Sequence, residues 1–176
     1  MQEVCDLLER LVRDGSLRQY AIGGATAAGF HGEPLATRDV DVFVFLDPVP
    51  GRLLVSLEPV FSRLAELGFT DFEEEGVLIH DLPVQFLAAS PGLETDAVEQ
   101  AMVVEWDHHR ARIMRPEHLA ALALVTGRPK DRARVVYLAE LPDFDMDGFL
   151  GIVGRHGLGS RWSDWATALG LNPGGA

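Results

Sequence analysis

Residues 20 to 46 read YAIGGATAAGFHGEPLATRDVDVFVFL, and the order of residue types in this stretch decides the fold. An apolar run, Tyr20-Ala21-Ile22, meets the glycine pair Gly23-Gly24, and Ala25 to Phe30 is small and helix-compatible. The expectation is strand, glycine turn, helix. Glycine lets backbone approach a phosphate closely, and the unpaired N–H groups of a helix start point toward it, so Gly23 and Gly24 are expected to form an anion site. After the loop His31 to Arg38, the segment Asp39-Val-Asp-Val-Phe-Val-Phe-Leu46 has the β-branched and aromatic content of a strand. Alternation along it sets Asp39 and Asp41 on one face, with Val40 and Val42 on the other. Two carboxylates side by side suit Mg²⁺, which takes oxygen ligands and completes its shell with waters and substrate phosphates. Cradle and metal ligands then share one substrate.

Ile22-Gly23-Gly24-Ala25, Glu33-Pro34, Thr37-x-Asp39-Val-Asp41-Val-Phe-Val, Leu82-Pro-Val-Gln-Phe-Leu87 and Gly127-Arg-Pro-Lys-Asp131 are anchors spread over most of the chain. Together they resemble the nucleotidyltransferase superfamily of DNA polymerase β type and, within it, the bacterial AbiEii-like nucleotidyltransferases. Fourteen residues, 25 to 38, separate Gly24 from Asp39, the long end of the family spacing, as though the loop held one extra residue. The resemblance implies an α/β (α+β) fold, a mixed sheet flanked by helices with a C-terminal helical region. Residues 1–115 are expected to form the nucleotidyltransferase core and residues 116–176 to pack on it as helices, one compact domain overall.

The resemblance also implies roles for single residues. Asp39 and Asp41 would hold Mg²⁺, and a third acid on a neighbouring strand would complete the site and help deprotonate the acceptor. That position is Gln85, which can offer an amide oxygen to a metal but cannot act as a base. Asp81 and His80, at the entrance of the same strand, are substitutes by position, though exposed turn residues is the plainer reading. Lys130 is assigned to phosphate, a point charge on a long stem; its alternative is a solvated helix start, with Asp131 favouring the helix dipole. Relatives often carry an aspartate three residues after that Lys-Asp pair, where this chain has Arg134. Arg38 either contacts phosphate or folds back to balance the acids in a salt bridge. His31 can approach a ribose or base, or serve as a partly buried structural histidine. Glu73 to Glu75 is an acidic run that reads as a solvated strand edge, and beside an active site would favour a cationic acceptor.

Composition narrows the class. A chain of 176 residues, 47% hydrophobic and 24% charged, suits one well-packed core. No apolar run approaches the roughly 20 residues that span a bilayer, and MQEVCDLLER lacks the regions of a signal peptide, so a cytoplasmic location is expected. Cys5 is the only cysteine and reads as a helix-face residue. The net charge of −12, with Lys130 the single lysine, argues against bulk binding to nucleic acid, which is held mainly by Lys and Arg on phosphate.

Along the rest of the chain, Val4, Leu7, Leu8, Leu11 and Val12 have the spacing of an amphipathic helix ending at Asp14-Gly15. Leu53 to Leu67 reads as a helix, kinked at Pro59 or starting there. Thr70 to Glu75, Val77 to Ile79 and Val84 to Leu87 read as strands, and Glu94 to Met102 as a helix. Val103 to Trp106 and Arg112 to Met114 read as strands around a turn at residues 107 to 110. The adjacent His108 and His109 belong to that turn, since neighbours on a strand face opposite ways and one ion would not see both. Helices are expected over Pro116 to Val125, Lys130 to Leu141, Met146 to Arg155 and Trp162 to Leu169.

The function expected is transfer of a nucleoside monophosphate from NTP, with Mg²⁺, to an acceptor hydroxyl. Alternatives are a nucleotide-binding protein impaired at Gln85, or a toxin-type subunit of a toxin-antitoxin or phage-defence system with an antitoxin partner. A small cationic acceptor or a protein is favoured over RNA by charge. A phosphatase of the haloacid dehalogenase type is disfavoured because its acids follow an apolar strand, whereas Val42 to Leu46 comes after them here.

Overall fold

The computed structural model describes residues 1–32, 36–46, 56–106 and 108–171. Helix α1 (Gln2–Arg13) forms because Val4, Cys5, Leu7, Leu8 and Leu11 recur on one side, and that side is buried. Strand β1 (Gln19–Ile22) follows and passes through Gly23 directly into α2 (Gly24–His31), the expected strand, turn, helix. In β2 (Val40–Phe45) the alternation is complete: Val40, Val42 and Val44 are buried, and Asp41, Phe43 and Phe45 are half-exposed. Asp39 sits in a bend one residue ahead of the strand.

Residues 47–55 and 33–35, with Glu33-Pro34 and the start of the helix expected from Leu53, lie outside the described residues. What is described is α3 (Glu58–Glu66), with Pro59 in its first turn, so the proline marks a start and not a kink. Strands β3 (Phe72–Glu73), β4 (Gly76–Ile79) and β5 (Leu82–Ala88) form successive antiparallel hairpins. The strand expected over Thr70 to Glu75 shrinks to two residues because Glu74 adopts a left-handed φ of 54° and turns the chain. His80 and Asp81, with φ of 48° and 65°, are the two turn residues between β4 and β5.

Helix α4 (Leu93–Glu99) stops short of the expected Met102, because Met102 pairs with Ile113 as the first residue of β6 (Met102–Trp106). Likewise β7 (His109–Ile113) takes up His109 and Arg110, which shortens the expected turn. The sheet runs β3-β4-β5-β2-β1-β7-β6 and is mixed. At its centre β2 lies antiparallel to β1 and parallel to β5, with Ile22 opposite Val42 and Asp41 opposite Gln85.

From Pro116 on, the described chain is helical: α5 (Pro116–Thr126), α6 (Pro129–Ala139), α7 (Met146–Arg155) and α8 (Gly159–Leu169). Pro116 opens α5 and Gly127, at φ 74°, closes it. Helix α5 is apolar almost all round, as a helix covered on several sides must be, and it touches α2, α4, α6 and α7. Arg161 of α8 donates to the carbonyls of Leu124 and Val125, both at 2.8 Å, and so satisfies the exposed end of α5. One hydrophobic cluster runs through sheet and helices. Among the described residues no helix is long and apolar enough to cross a membrane.

Candidate active site

The glycine turn and the paired acids are built against each other. Gly23 N–H donates to the Asp41 carbonyl at 2.8 Å, which ties the turn to β2. Gly24 has φ 61°, and a Cβ there would stand 1.9 Å from Asp41 Oδ2. Only glycine fits, for conformation and for space. The Asp41 carboxylate therefore rests against the first residue of α2. The Asp39 carbonyl accepts from Thr26 Oγ1 at 3.2 Å, and Thr37 Oγ1 lies 2.9 Å from Asp39 Oδ1, so both sides of the loop hold Asp39 in place.

Asp39 and Asp41 line one cavity of about 330 Å³, as the alternation predicted. Gly24, Gln85, Lys130, Arg128 and Arg134 share it, and Phe43, Leu87, Leu119 and Leu122 supply an apolar wall. Burial pushes the Asp41 carboxyl up from its ordinary value, and the charge of Asp39 pushes it further, while Arg134, Arg128 and Lys130 pull it back. No hydrogen bond or ion pair reaches that carboxylate among the described residues. A half-buried carboxylate, crowded by a second and left without a partner, fits a cation between them.

Of the three aspartates lining the cavity, Asp131 is engaged by Arg128, which leaves Asp39 and Asp41 to a ligand; among the described residues no three His, Cys, Asp or Glu side chains stand together as a ready metal cage. An ion that takes one or two carboxylates plus phosphates, as Mg²⁺ commonly does, could be held by that pair. Three cationic side chains, Arg128, Lys130 and Arg134, line the cavity from the α5–α6 side.

The remaining residues sort by their contacts. Gln85 lines the cavity beside Asp41, and its Nε2 donates to Glu75 Oε2 at 2.6 Å. Lys130 is exposed and lines the cavity. Asp131 is fully buried and caps α6, accepting from the Arg128 backbone N–H at 3.0 Å and from Arg128 Nε at 2.8 Å. Those bonds outweigh the cost of burial and hold the Asp131 carboxyl below its ordinary value. Arg38 makes no ion pair among the described residues; it lines a second cavity of about 430 Å³ together with Asp39, Gln85 and Glu73 to Glu75. His31 is structural, its Nε2 donating to the Met114 carbonyl at 2.7 Å. His80 and Asp81 are hairpin residues that line neither cavity. His109 pairs with Asp6 at 2.6 Å, apart from His108 in the turn.

Arg128, Arg134 and Glu75 were not assigned to the site from sequence. Arg128 and Arg134 had a signal, since the spacing from Arg128 through Asp131 to Arg134 puts both arginines on the Asp131 side of one helix. Glu75 was legible only as part of the acidic run 73 to 75; its meeting with Gln85 had no signal, because only the hairpin brings the two together.

No protein-family model matches the chain, and no curated protein matches it by sequence. Solved structures similar to the chain include two nucleotidyltransferase-type proteins. An antigenic nucleotidyltransferase-like protein from Paracoccidioides brasiliensis aligns over 97% of this chain and 93% of its own, with TM-score 0.55 and 14% identity. The antibiotic-resistance factor ANT(2'')-Ia aligns over 95% of this chain and 96% of its own, with TM-score 0.50 and 13% identity. With a mixed sheet, seven-stranded among the described residues, flanking helices and the glycine turn set against Asp41, the chain has the nucleotidyltransferase-like fold.

Proposed function

We propose that the protein is a nucleotidyltransferase that moves a nucleoside monophosphate from NTP to an acceptor hydroxyl. The observation that carries this reading is the unpartnered carboxylate of Asp41 beside Asp39, facing Lys130, Arg128 and Arg134 across one cavity. Acids on one wall and cations on the other are what a cation–triphosphate pair requires. Mg²⁺ bound by Asp39 and Asp41 would offset charge on the attacking and leaving oxygens of an in-line displacement. Gly24 and Ala25, at the start of α2, offer backbone N–H groups to phosphate oxygens, while the N–H of Gly23, expected to share that role, is taken by the Asp41 carbonyl. Arg128 is held by Asp131, so it meets the nucleotide with little conformational freedom left to lose. The apolar wall of Phe43, Leu87, Leu119 and Leu122 suits a base or ribose face.

The acceptor follows from charge. The second cavity adjoins the first through Asp39 and Gln85, which line both, and carries Glu73, Glu74 and Glu75. With a net charge of −12 this surface draws cations and repels polyanions. A hydroxyl on an amine-bearing small molecule is therefore the favoured acceptor, ahead of RNA. The AbiEii-like assignment and a toxin-type role rest on the sequence motifs alone and would require RNA or a partner antitoxin. A second reading, nucleotide binding without turnover, is favoured by one observation, the amide at position 85.

The test is incubation with α-labelled NTPs, Mg²⁺ and either total RNA or a panel of amine-bearing and aminoglycoside acceptors at two salt concentrations. Label is expected on an amine-bearing acceptor, with release of pyrophosphate and loss of transfer as salt rises. Label on RNA alone would overturn the acceptor assignment. Nucleotide binding without pyrophosphate release under any acceptor would favour the binding-only reading.

A further inference from the structure

The position expected to carry a third carboxylate holds Gln85, and the carboxylate of Glu75 meets that amide from a neighbouring hairpin. Register places Gln85 beside Asp41 across the parallel pair β2 and β5. Its amide reaches away from Asp41's strand to the β3–β4 hairpin and donates to Glu75 Oε2 at 2.6 Å. The hairpin is tight: Glu73 pairs with Gly76, leaving Glu74 and Glu75 as its two turn residues. Gly76 lets the hairpin lie close on β5, since a Cβ there would come within 3.1 Å of the Val84 backbone nitrogen. Glu75 is thus delivered to Gln85 by backbone geometry. Its second carboxylate oxygen has no hydrogen-bond partner among the described residues, and the residue lines the cavity that Asp39 and Gln85 also line.

We infer that Glu75, held by Gln85, is the general base of the transfer, in place of an acid at position 85. This rests on the nucleotidyltransferase reading above. The acceptor lies in the second cavity with its hydroxyl toward the first. As its oxygen bonds to the α-phosphorus, its proton passes to the free oxygen of Glu75, the bond from the α-phosphorus to the bridging oxygen breaks, and pyrophosphate leaves with that electron pair. Gln85 is the positioning residue: its N–H fixes one carboxylate oxygen and leaves the other for the proton. A Gln–Glu pair also avoids placing a third charge directly beside Asp39 and Asp41, where burial and then the charge of Asp39 already raise the Asp41 carboxyl.

The experiment compares wild type, Glu75→Gln and the exchange variant Glu75→Gln with Gln85→Glu, using NTP, Mg²⁺ and the acceptor that takes label from wild type. Binding of a non-hydrolysable NTP with Mg²⁺ is measured alongside pyrophosphate release as a function of pH. General-base catalysis contributes about 10² to 10⁴-fold, so Glu75→Gln should lose at least about 100-fold in kcat while nucleotide affinity stays within about twofold. The acidic limb of the kcat profile should disappear with it. The exchange variant keeps an amide–carboxylate pair and moves the acid to the position in register with Asp41, so it should regain at least about tenfold of that loss. Undiminished turnover in Glu75→Gln, or an exchange variant no better than the single one, overturns the assignment while leaving the transferase reading intact. A wild-type protein that binds NTP and never releases pyrophosphate overturns both; one that binds no NTP overturns the site itself.

Discussion

Two aspartates in this molecule carry charge in partly buried surroundings, and their chemistry diverges. Asp96, on α4, accepts from Arg155 NH2 and His156 Nε2, both at 3.1 Å from Oδ2, and Gln100 Nε2 donates to its other oxygen. The buried His118 stands 3.5 Å away, with no hydrogen bond to either ring nitrogen among the described residues. Burial alone would push the Asp96 carboxyl up, but the bonds from His156, Arg155 and Gln100 outweigh it and hold the group at about 2. Asp41 shows the reverse: burial and Asp39 push it up, and its cations act only from across a cavity. The contrast separates a charge committed to the fold from a charge that, on the function proposed above, is kept for a ligand. At Asp96 the protein supplies every partner, so the ion pair cluster joins α4 to α7. At Asp41 it supplies the opposing field of Arg134, Arg128 and Lys130 and, among the described residues, no hydrogen-bond partner for the carboxylate.

The sharpest way to break that distinction is a pair of isosteric substitutions. Asp41→Asn should weaken Mg²⁺-dependent binding of a non-hydrolysable NTP by at least about 100-fold, near 3 kcal/mol, because a site with two carboxylates loses one. The ligand-free melting temperature should stay level or rise, since a buried charge without a partner is removed. Calorimetric titration and a thermal melt read both quantities. A large fall in stability with binding intact would reverse the assignment.

Asp96→Asn should do the opposite. Loss of charge-assisted hydrogen bonds costs about 2 kcal/mol, which in a chain of this size lowers the melting temperature by roughly 5 °C, with nucleotide affinity unchanged. The pH dependence sharpens the same point. A carboxyl held below its unfolded value contributes stability that is complete above that value and is lost as pH falls through the folded one. The gap in melting temperature between wild type and Asp96→Asn should therefore be full at about pH 5 and close toward about pH 2. A gap that stays constant over that range would mean that Asp96 acts through packing and not through charge. The smallest effect concerns Lys130, exposed at the cavity mouth: Lys130→Ala should weaken nucleotide binding only about two- to fivefold, less at high salt, because solvent screens an exposed charge.

How much of this was legible depends on the distance in sequence over which each feature is decided. The strand, glycine turn and helix from Tyr20 to His31, and the alternation that put Asp39 and Asp41 into one cavity, are local: residue type and spacing at two to four positions suffice. The same holds for Pro116 and Gly127 at the ends of α5 and for Pro59 at the start of α3. The helix predicted as far as Met102 failed because its end is set by pairing with Ile113, eleven positions on, and local propensity does not see a partner strand.

The sequence by itself determined the glycine turn, the two acids and the strand holding Gln85, because each follows from backbone conformation and side-chain period. It could not show that Glu75 meets Gln85, that Arg128 and Arg134 face Asp41, or that His118 is buried beside Asp96. Those juxtapositions come from a hairpin laid on β5, a helix docked across the sheet and a central helix covered by α4 and α7. Side-chain chemistry is written residue by residue, whereas the field at a carboxylate is a sum over neighbours that only packing brings within reach.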